Sequence, residues 1–245
     1  MIIGSKLIFK ENLSSSNSYA SALLKKNKVQ EGTIIYTNYQ TDGRGHAGTT
    51  WESEDRKNLL ISLILYPFMI KPSDQFMISK IISLGICDFL RQYTANVSIK
   101  WPNDIYVNND KIAGILIEVS IIRNEIENVI AGIGLNINQK KFKSDAINPV
   151  SLRMITGTSY NIEECLANLA QFLDKRYYQL LQEKRSEIDS EYLSNLYRIE
   201  QWCNYSDSNG FFEGKIISVN AIGCLQVEDR SGKINEYGLK EVDFH

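Results

Sequence analysis

Between Val97 and Asn138 the chain carries four strand-like runs separated by connections too short to hold a helix. Val97-Ser98-Ile99-Lys100 leads through Pro102-Asn103-Asp104 to Ile105-Tyr106-Val107. Asn108-Asn109-Asp110 then turns into a run from Lys111 to Val119, and Arg123-Asn124-Glu125 returns the chain through Val129 to Asn138. Pro, Asn and Asp are the residues that tight turns favour. Parallel strands need a crossover of a dozen residues or more, whereas a tight turn joins antiparallel neighbours. This stretch commits the chain to a mixed or antiparallel sheet with helices laid on it, an α+β fold.

The flanking segments fit that frame. Lys6 to Lys10 reads as a short strand, and Asn12 to Asn17 leads into an amphipathic helix from Tyr19 to Lys26. A serine before a helix is the ordinary N-cap, and spare hydroxyls there can also bind a polar ligand group. Thr33 to Thr37 and Asn58 to Leu65 read as strands, and Pro72-Ser73-Asp74-Gln75 opens a long apolar helix to about Tyr93. Ser151 to Ile155, Asn161 to beyond Leu181, and Glu187 to Trp202 read as helices. Asn204 to Gly210 reads as a polar linker, followed by short alternating strands that suit a small β-barrel. The division expected is a main unit, 1–203, and a small C-terminal one, 204–245.

The formal net charge of −2 provides no electrostatic footprint for nucleic acid or an acidic membrane surface. Cys87, Cys165, Cys203 and Cys224 form no C-x-x-C pair, which argues against structural zinc or a disulfide framework. Cys87 and Cys165 sit in apolar helical patterns and read as core. The N-terminal residues lack the apolar stretch of a signal peptide, and no run approaches a membrane span, so a cytoplasmic protein is expected.

Function points first to the connection between two strands, Gln40-Thr41-Asp42-Gly43-Arg44-Gly45-His46-Ala47-Gly48-Thr49-Thr50-Trp51. Glycines allow successive backbone amides to form a concave anion site. Arg44 adds a planar, permanently charged fork, and Trp51 can stack on a flat ring. The loop matches neither the P-loop nor a completed G-x-G-x-x-G. Two further features are unusual in core strands: Lys100 ends an apolar strand, and Gly132 and Gly134 alternate on one face of another. Strand glycines often mark the close approach of a ligand.

Taken in order, G-R-G-x-x-G-x-x-W (Gly43 to Trp51), K-W-P-N-D (Lys100 to Asp104), K-x-A-G-I-L-I-E (Lys111 to Glu118) and G-x-G-x-N (Gly132 to Asn136) resemble the biotin–protein ligases. The motifs cover the chain up to about Asn138; the remainder agrees in position rather than in motif. The resemblance implies a class II synthetase-like catalytic domain with an SH3-like C-terminal barrel. It also implies a two-step reaction. Biotin's carboxylate attacks the α-phosphate of ATP to give biotinyl-5′-AMP and pyrophosphate. A lysine of a biotin carboxyl carrier protein, that of acetyl-CoA carboxylase being the expected one, then takes the biotinyl group.

By that resemblance Ser15, Ser16, Asn17 and Gln40 meet biotin's ureido end, and Gly132 and Gly134 let its rings lie on the strand. Gly43, Arg44, Gly45 and His46 belong to the biotin-binding loop, with Arg44 and His46 also near ATP. Trp51 is expected to stack on adenine, Asn136 to hydrogen-bond it, and Lys111 to face the phosphates or the carrier. Arg44 and Lys100 are the expected catalytic cations, with Lys100 touching both biotin carboxyl and α-phosphate. Two like charges about 4 Å apart repel by roughly 4 kcal/mol at an effective dielectric near 20, which such cations offset. Mg²⁺ is expected to arrive on ATP, with no dedicated metal ligands from the protein. His46 replaces a second arginine common in the family, which predicts weaker retention of the adenylate. With only a short segment before the serines, the winged-helix repressor domain of bifunctional members is not expected. The sequence leaves monomer or homodimer open. A lipoate–protein ligase or octanoyltransferase, or a non-catalytic biotin sensor, are the alternatives.

Overall fold

The computed structural model describes residues 1–143 and 148–245. The strands Lys6–Leu13 (β1), Thr33–Gln40 (β2), Asn58–Leu65 (β3), Val97–Lys100 (β4), Asp104–Val107 (β5), Asp110–Ile122 (β6) and Glu125–Asn136 (β7) build a seven-stranded sheet. Their order is β1-β2-β3-β7-β6-β5-β4. Strands β4 to β7 are successive antiparallel neighbours, as their short turns require. Only β1 and β2 run parallel, and the crossover between them is the helix Ser16–Leu24 (α1).

Strand β3 is buried at every residue, as its dense apolar run, interrupted only by Ser62, demands of a strand covered on both faces. One face carries the helices Phe76–Leu90 (α2), Leu152–Thr156 (α3), Ile162–Leu181 (α4) and Arg185–Ser194 (α5), with α2 packed on both α4 and α5. Arg176 of α4 clamps this layer: it donates to Asp88 of α2 at 2.6 and 3.0 Å and pairs with Glu191 of α5. The other face carries α1, whose Ala20 is seated on Ile35, Ile64 and Ile130. Beyond α1 this second face runs out into glycines. Gly134 pairs with Leu60 and Gly114, and Gly132 with Ser62 and Leu116, so two cross-strand rows lose height there.

The strands Trp202–Asp207 (β8), Gly210–Val219 (β9), Leu225–Asp229 (β10), Ile234–Tyr237 (β11) and Asp243–Phe244 (β12) form the small antiparallel unit, in the order β11-β10-β9-β8-β12. Its Tyr205, Ile216, Leu225 and Val227 belong to the same apolar cluster as the main core. Trp101 donates its indole N–H to the Gly223 carbonyl at 2.8 Å. The small unit is thus docked on the turn between β4 and β5.

Several sequence expectations are corrected. Helix α1 starts at Ser16 rather than Tyr19, because Ser15 is its cap and accepts from the Ser18 amide at 3.4 Å. Gln40 closes β2 instead of opening the loop. The final helix ends at Ser194, and the chain then runs beside β4, with the Tyr197 amide donating to Ile99 at 2.8 Å. Trp202 opens a strand, and Asn204 to Gly210 is strand and hairpin rather than linker. Only Tyr205 is fully buried along β8, so its polar residues disguise a strand that covers core on one side.

Candidate active site

The wall of the glycine depression is the start of α1. Ser15, Ser16 and Asn17 are all buried, and buried polar atoms need partners. The Ser16 amide donates to Gln40 Oε1 at 2.7 Å. The Ser62 hydroxyl lies 2.7 Å from Ser16 Oγ and 2.5 Å from Asn17 Oδ1. Asn17 Nδ2 donates to the Leu116 carbonyl at 3.2 Å and to Glu118 Oε2 at 2.8 Å. One side chain of α1 therefore ties β3 to β6.

The floor is glycine for a steric reason. A Cβ at Gly132 would strike the Asn17 side chain, and one at Gly134 would overlap the Trp51 indole. At Gly114, directly opposite Gly134, a Cβ would lie 2.8 Å from the same ring. The two glycines of β7 thus make room for Asn17 and for Trp51, where the expectation was a bare surface for biotin's rings. The loop from Thr41 to Lys57 folds back as a small hairpin: Trp51 donates to Gly43 at 2.7 Å and Gly45 to Thr49 at 2.7 Å. A Cβ at Gly43 would come within 2.5 Å of the Trp51 carbonyl. These glycines serve close backbone approach, and the Gly45 amide is already committed within the loop, so the expected nest of free amides is not formed there.

Two cations stand over this floor, each held by a carboxylate. Arg44 donates to both oxygens of Glu118 at 3.0 and 3.1 Å. Lys111 pairs with Asp104 at 2.8 Å and lies over the Trp51 ring, 5.7 Å from its centroid. Lys100 departs from expectation. It shares a cross-strand row with Asp104, Gly114 and Gly134, but at the sheet's edge strand. Its ammonium donates to the Tyr106 hydroxyl at 3.2 Å and sits 5.2 Å from the Phe244 ring centroid, against the small unit. Burial lowers its pKa, with Asp104 opposing.

A cleft of about 240 Å³ contains the α1 start, Gln40, Arg44, Gly45, His46, Trp51, Lys111 and both β7 glycines. Lys100 and Gly43 do not line it. Asn136 opens on an adjoining pocket with Trp51 and Lys111. Its Nδ2 donates to the Val150 carbonyl at 3.0 Å, while its Oδ1 and the Trp51 indole N–H are buried without partners. His46 is half-buried, and desolvation lowers its pKa; Asp104 opposes this and Lys111 adds to it. The imidazole is therefore mostly neutral at pH 7.

Five participants were not named from the sequence as site residues. Asp104 belongs to the K-W-P-N-D motif, and Gly114 and Glu118 belong to K-x-A-G-I-L-I-E, four residues apart on the glycine face of β6. Ser62 had a signal too, as the one hydroxyl within Leu59 to Leu65. Lys240, which lines the cleft from the small unit, had none.

Residues 9–136 match the model of the biotin/lipoate A/B protein ligase family, more than half of the chain. The chain belongs to that family. The biotin–[acetyl-CoA-carboxylase] ligase of Paracoccus denitrificans is 30% identical over 230 residues, covering 89% of this chain and 93% of that relative. The bifunctional ligase/repressor BirA of Bacillus subtilis is 29% identical over 237 residues, 94% of this chain and 72% of the relative. Among solved structures, the biotin protein ligase of Aquifex aeolicus in complex with biotin and ATP superposes with a TM-score of 0.81 at 23% identity, over 98% of this chain and 99% of that one. The likeness confirms the α+β fold of this biotin/lipoate ligase family member, including its small antiparallel C-terminal unit.

Proposed function

We propose that this protein is a biotin–protein ligase that couples biotin to ATP as biotinyl-5′-AMP, releases pyrophosphate, and transfers the biotinyl group to a lysine of a biotin carrier protein. The observation that carries this is the pair of cations, Arg44 and Lys111, braced by Glu118 and Asp104 above a glycine floor. Joining a carboxylate to a phosphate requires positive charge fixed beforehand at the point where the two anions meet. The carboxylate braces supply that fixity, since a long side chain held at both ends loses little freedom when substrate arrives.

Ser15, Ser16 and Gln40 offer hydroxyls and an amide for the ureido end of biotin. Asn17 spends its amide on Leu116 and Glu118 and so shapes that wall. Asn136 Oδ1 and the Trp51 indole N–H are an acceptor and a donor without protein partners, a combination suited to adenine's amino group and ring nitrogen. Lys111, lining the cleft, takes the role expected of Lys100. Lys100 instead fixes the small unit through Phe244. The division near residue 203 into a catalytic unit and a small barrel belongs to this proposal, supported by the change of sheet at Trp202.

Among the described residues no three His, Cys, Asp or Glu side chains gather into a metal site. The carboxylates nearest the cations are already engaged, which supports Mg²⁺ entering with the ATP phosphates, where it would neutralise their charge. No helix of the described residues is long and apolar enough to cross a membrane. The deciding assay is pyrophosphate release with ATP and Mg²⁺, comparing biotin, lipoate, octanoate and no acid. Release with biotin alone is expected. Release with lipoate or octanoate would move the chain to the other branch of its family, and biotin binding without release would make it a sensor.

A further inference from the structure

A second cleft, of about 430 Å³, lies beside the first, between α2, the part of β6 beyond the end of β5, and two turns of the small unit. Phe76, Trp101, Ile117, Val119 and Leu239 make its walls largely apolar. Among the described residues, three line both clefts: His46, Asn103 and Ile115. They are the partition between the two spaces. Asn103 is fixed there, its carbonyl accepting from the Ile115 amide at 2.9 Å and its Nδ2 donating to the Ile115 carbonyl at 3.2 Å. Neither an amide nor an alkyl side chain can take up a proton. His46 can, and Asp104, the carboxylate that lines the first cleft beside it, is committed to Lys111 at 2.8 Å.

We propose that the acceptor amine reaches the activated acyl group through this second cleft, and that His46 takes the proton from its nitrogen as the amide forms. The proposal rests on the ligase function above. With biotin and the nucleotide filling the first cleft, the partition offers a side from which a third reactant can approach. A lysine arrives as an ammonium ion, and apolar walls favour its neutral form, so one proton stays with solvent. The nitrogen lone pair then attacks the acyl carbon, the bond from that carbon to the phosphate oxygen breaks, and AMP leaves with the bonding pair. The surplus proton on nitrogen passes to His46 and on to water. Burial keeps the imidazole mostly neutral near pH 7, and a neutral imidazole carries one ring nitrogen without hydrogen, able to accept a proton. Arg44, Asp104, Lys111, Lys240 and Cys224 are the other titratable groups lining the two clefts.

The test uses the full chain loaded with preformed biotinyl-5′-AMP and follows single-turnover transfer to two nucleophiles. One is the lysine of a biotin carrier domain of acetyl-CoA carboxylase; the other is hydroxylamine, which is unprotonated at neutral pH and whose adduct sheds its proton readily. General bases contribute on the order of 10²–10⁴ in rate. His46→Gln is therefore expected to lower the ratio of lysine to hydroxylamine transfer about 100-fold. Taking the ratio cancels any loss of adenylate binding or folded protein. The wild-type lysine rate should rise with pH through an inflection below 6.5, absent in the variant, and imidazole in the buffer should restore transfer by His46→Ala. A ratio within threefold of wild type, or an inflection that survives in His46→Gln, overturns the role of His46. Failure of the wild type to release pyrophosphate with biotin overturns the ligase function instead.

Discussion

Lys111 and Lys100 offer the sharpest test, because both are strand lysines on the glycine side of the sheet and only Lys111 lines the cleft. Replacing Lys111 by Met removes a unit charge that would sit about 4 Å from the developing phosphoryl charge, worth roughly 4 kcal/mol at an effective dielectric near 20. Loss of a single stabilising donor costs about 2.7–4 kcal/mol in comparable acyl-transfer sites, on the order of 10²–10³ in rate. The substitution also leaves Asp104, now 2.8 Å from the ammonium, as an unpaired negative charge beside the same anions, which pushes in the same direction. Lys100→Met removes an ammonium held by Tyr106 and by the Phe244 ring. A cation–π contact is worth about 0.5–2 kcal/mol, and here it acts on docking of the small unit rather than on the phosphates. The assay is biotin-dependent pyrophosphate release at saturating ATP, with thermal melting as the control for folding. A fall of 10²-fold or more for Lys111→Met and of less than about tenfold for Lys100→Met is expected. The reverse pattern would refute the assignment of the cations.

The two glycines of β7 should separate the substrates. Gly134→Ala forces the Trp51 ring off the sheet and should raise the KM for ATP at least about tenfold with biotin affinity nearly unchanged, whereas Gly132→Ala strikes Asn17 and should weaken biotin in calorimetry. Arg176→Met strands Asp88 and Glu191 between helices and should cost about 3–5 kcal/mol in denaturant unfolding. Burial pushes the Cys87 thiol up to about 12 and Cys165 to about 11, so both stay protonated at pH 8. A maleimide at that pH should therefore label the partly exposed Cys203 and Cys224 first, and mass spectrometry reads the order. Strand β6 pairs with β5 only from Asp110 to Gly114, which leaves an edge that ends on exposed Ile121 and Ile122. A homodimer built there should become monomeric in light scattering on Ile121→Lys; a wild-type monomer at tens of micromolar would rule that assembly out.

Local pattern carried a great deal. The turns at Asn108 and Arg123 imply the β5-β6-β7 meander, and the dense apolar run of β3 implies a strand covered on both faces. The four motifs located the cleft because the close approaches it needs fall on residues whose types are rare in strands: Gly132, Gly134 and Lys111. Where the local signal is weak, sequence and structure part. The polar alternation of β8 looks like a linker, since its partner β9 and the core beneath it are what make it a strand.

Sequence alone therefore determined the fold class, the family and many of the residues that line the cleft, because periodicity, turn chemistry and motif spacing are properties of neighbours along the chain. Tertiary structure alone decided which lysine enters the cleft. Lys100 and Lys111 are eleven residues apart and equally plausible in the chain, but one ends on the sheet's edge against Phe244 and the other stands over the Trp51 ring beside Asp104. It also decided that His46 divides two clefts, since Ile117 and Val119 of β6, Phe76 of α2 and Leu239 of the small unit meet only when the sheet and the C-terminal unit pack together. Charge and proton chemistry depend on distances of a few ångströms in three dimensions, and those are set by packing between segments far apart in the chain.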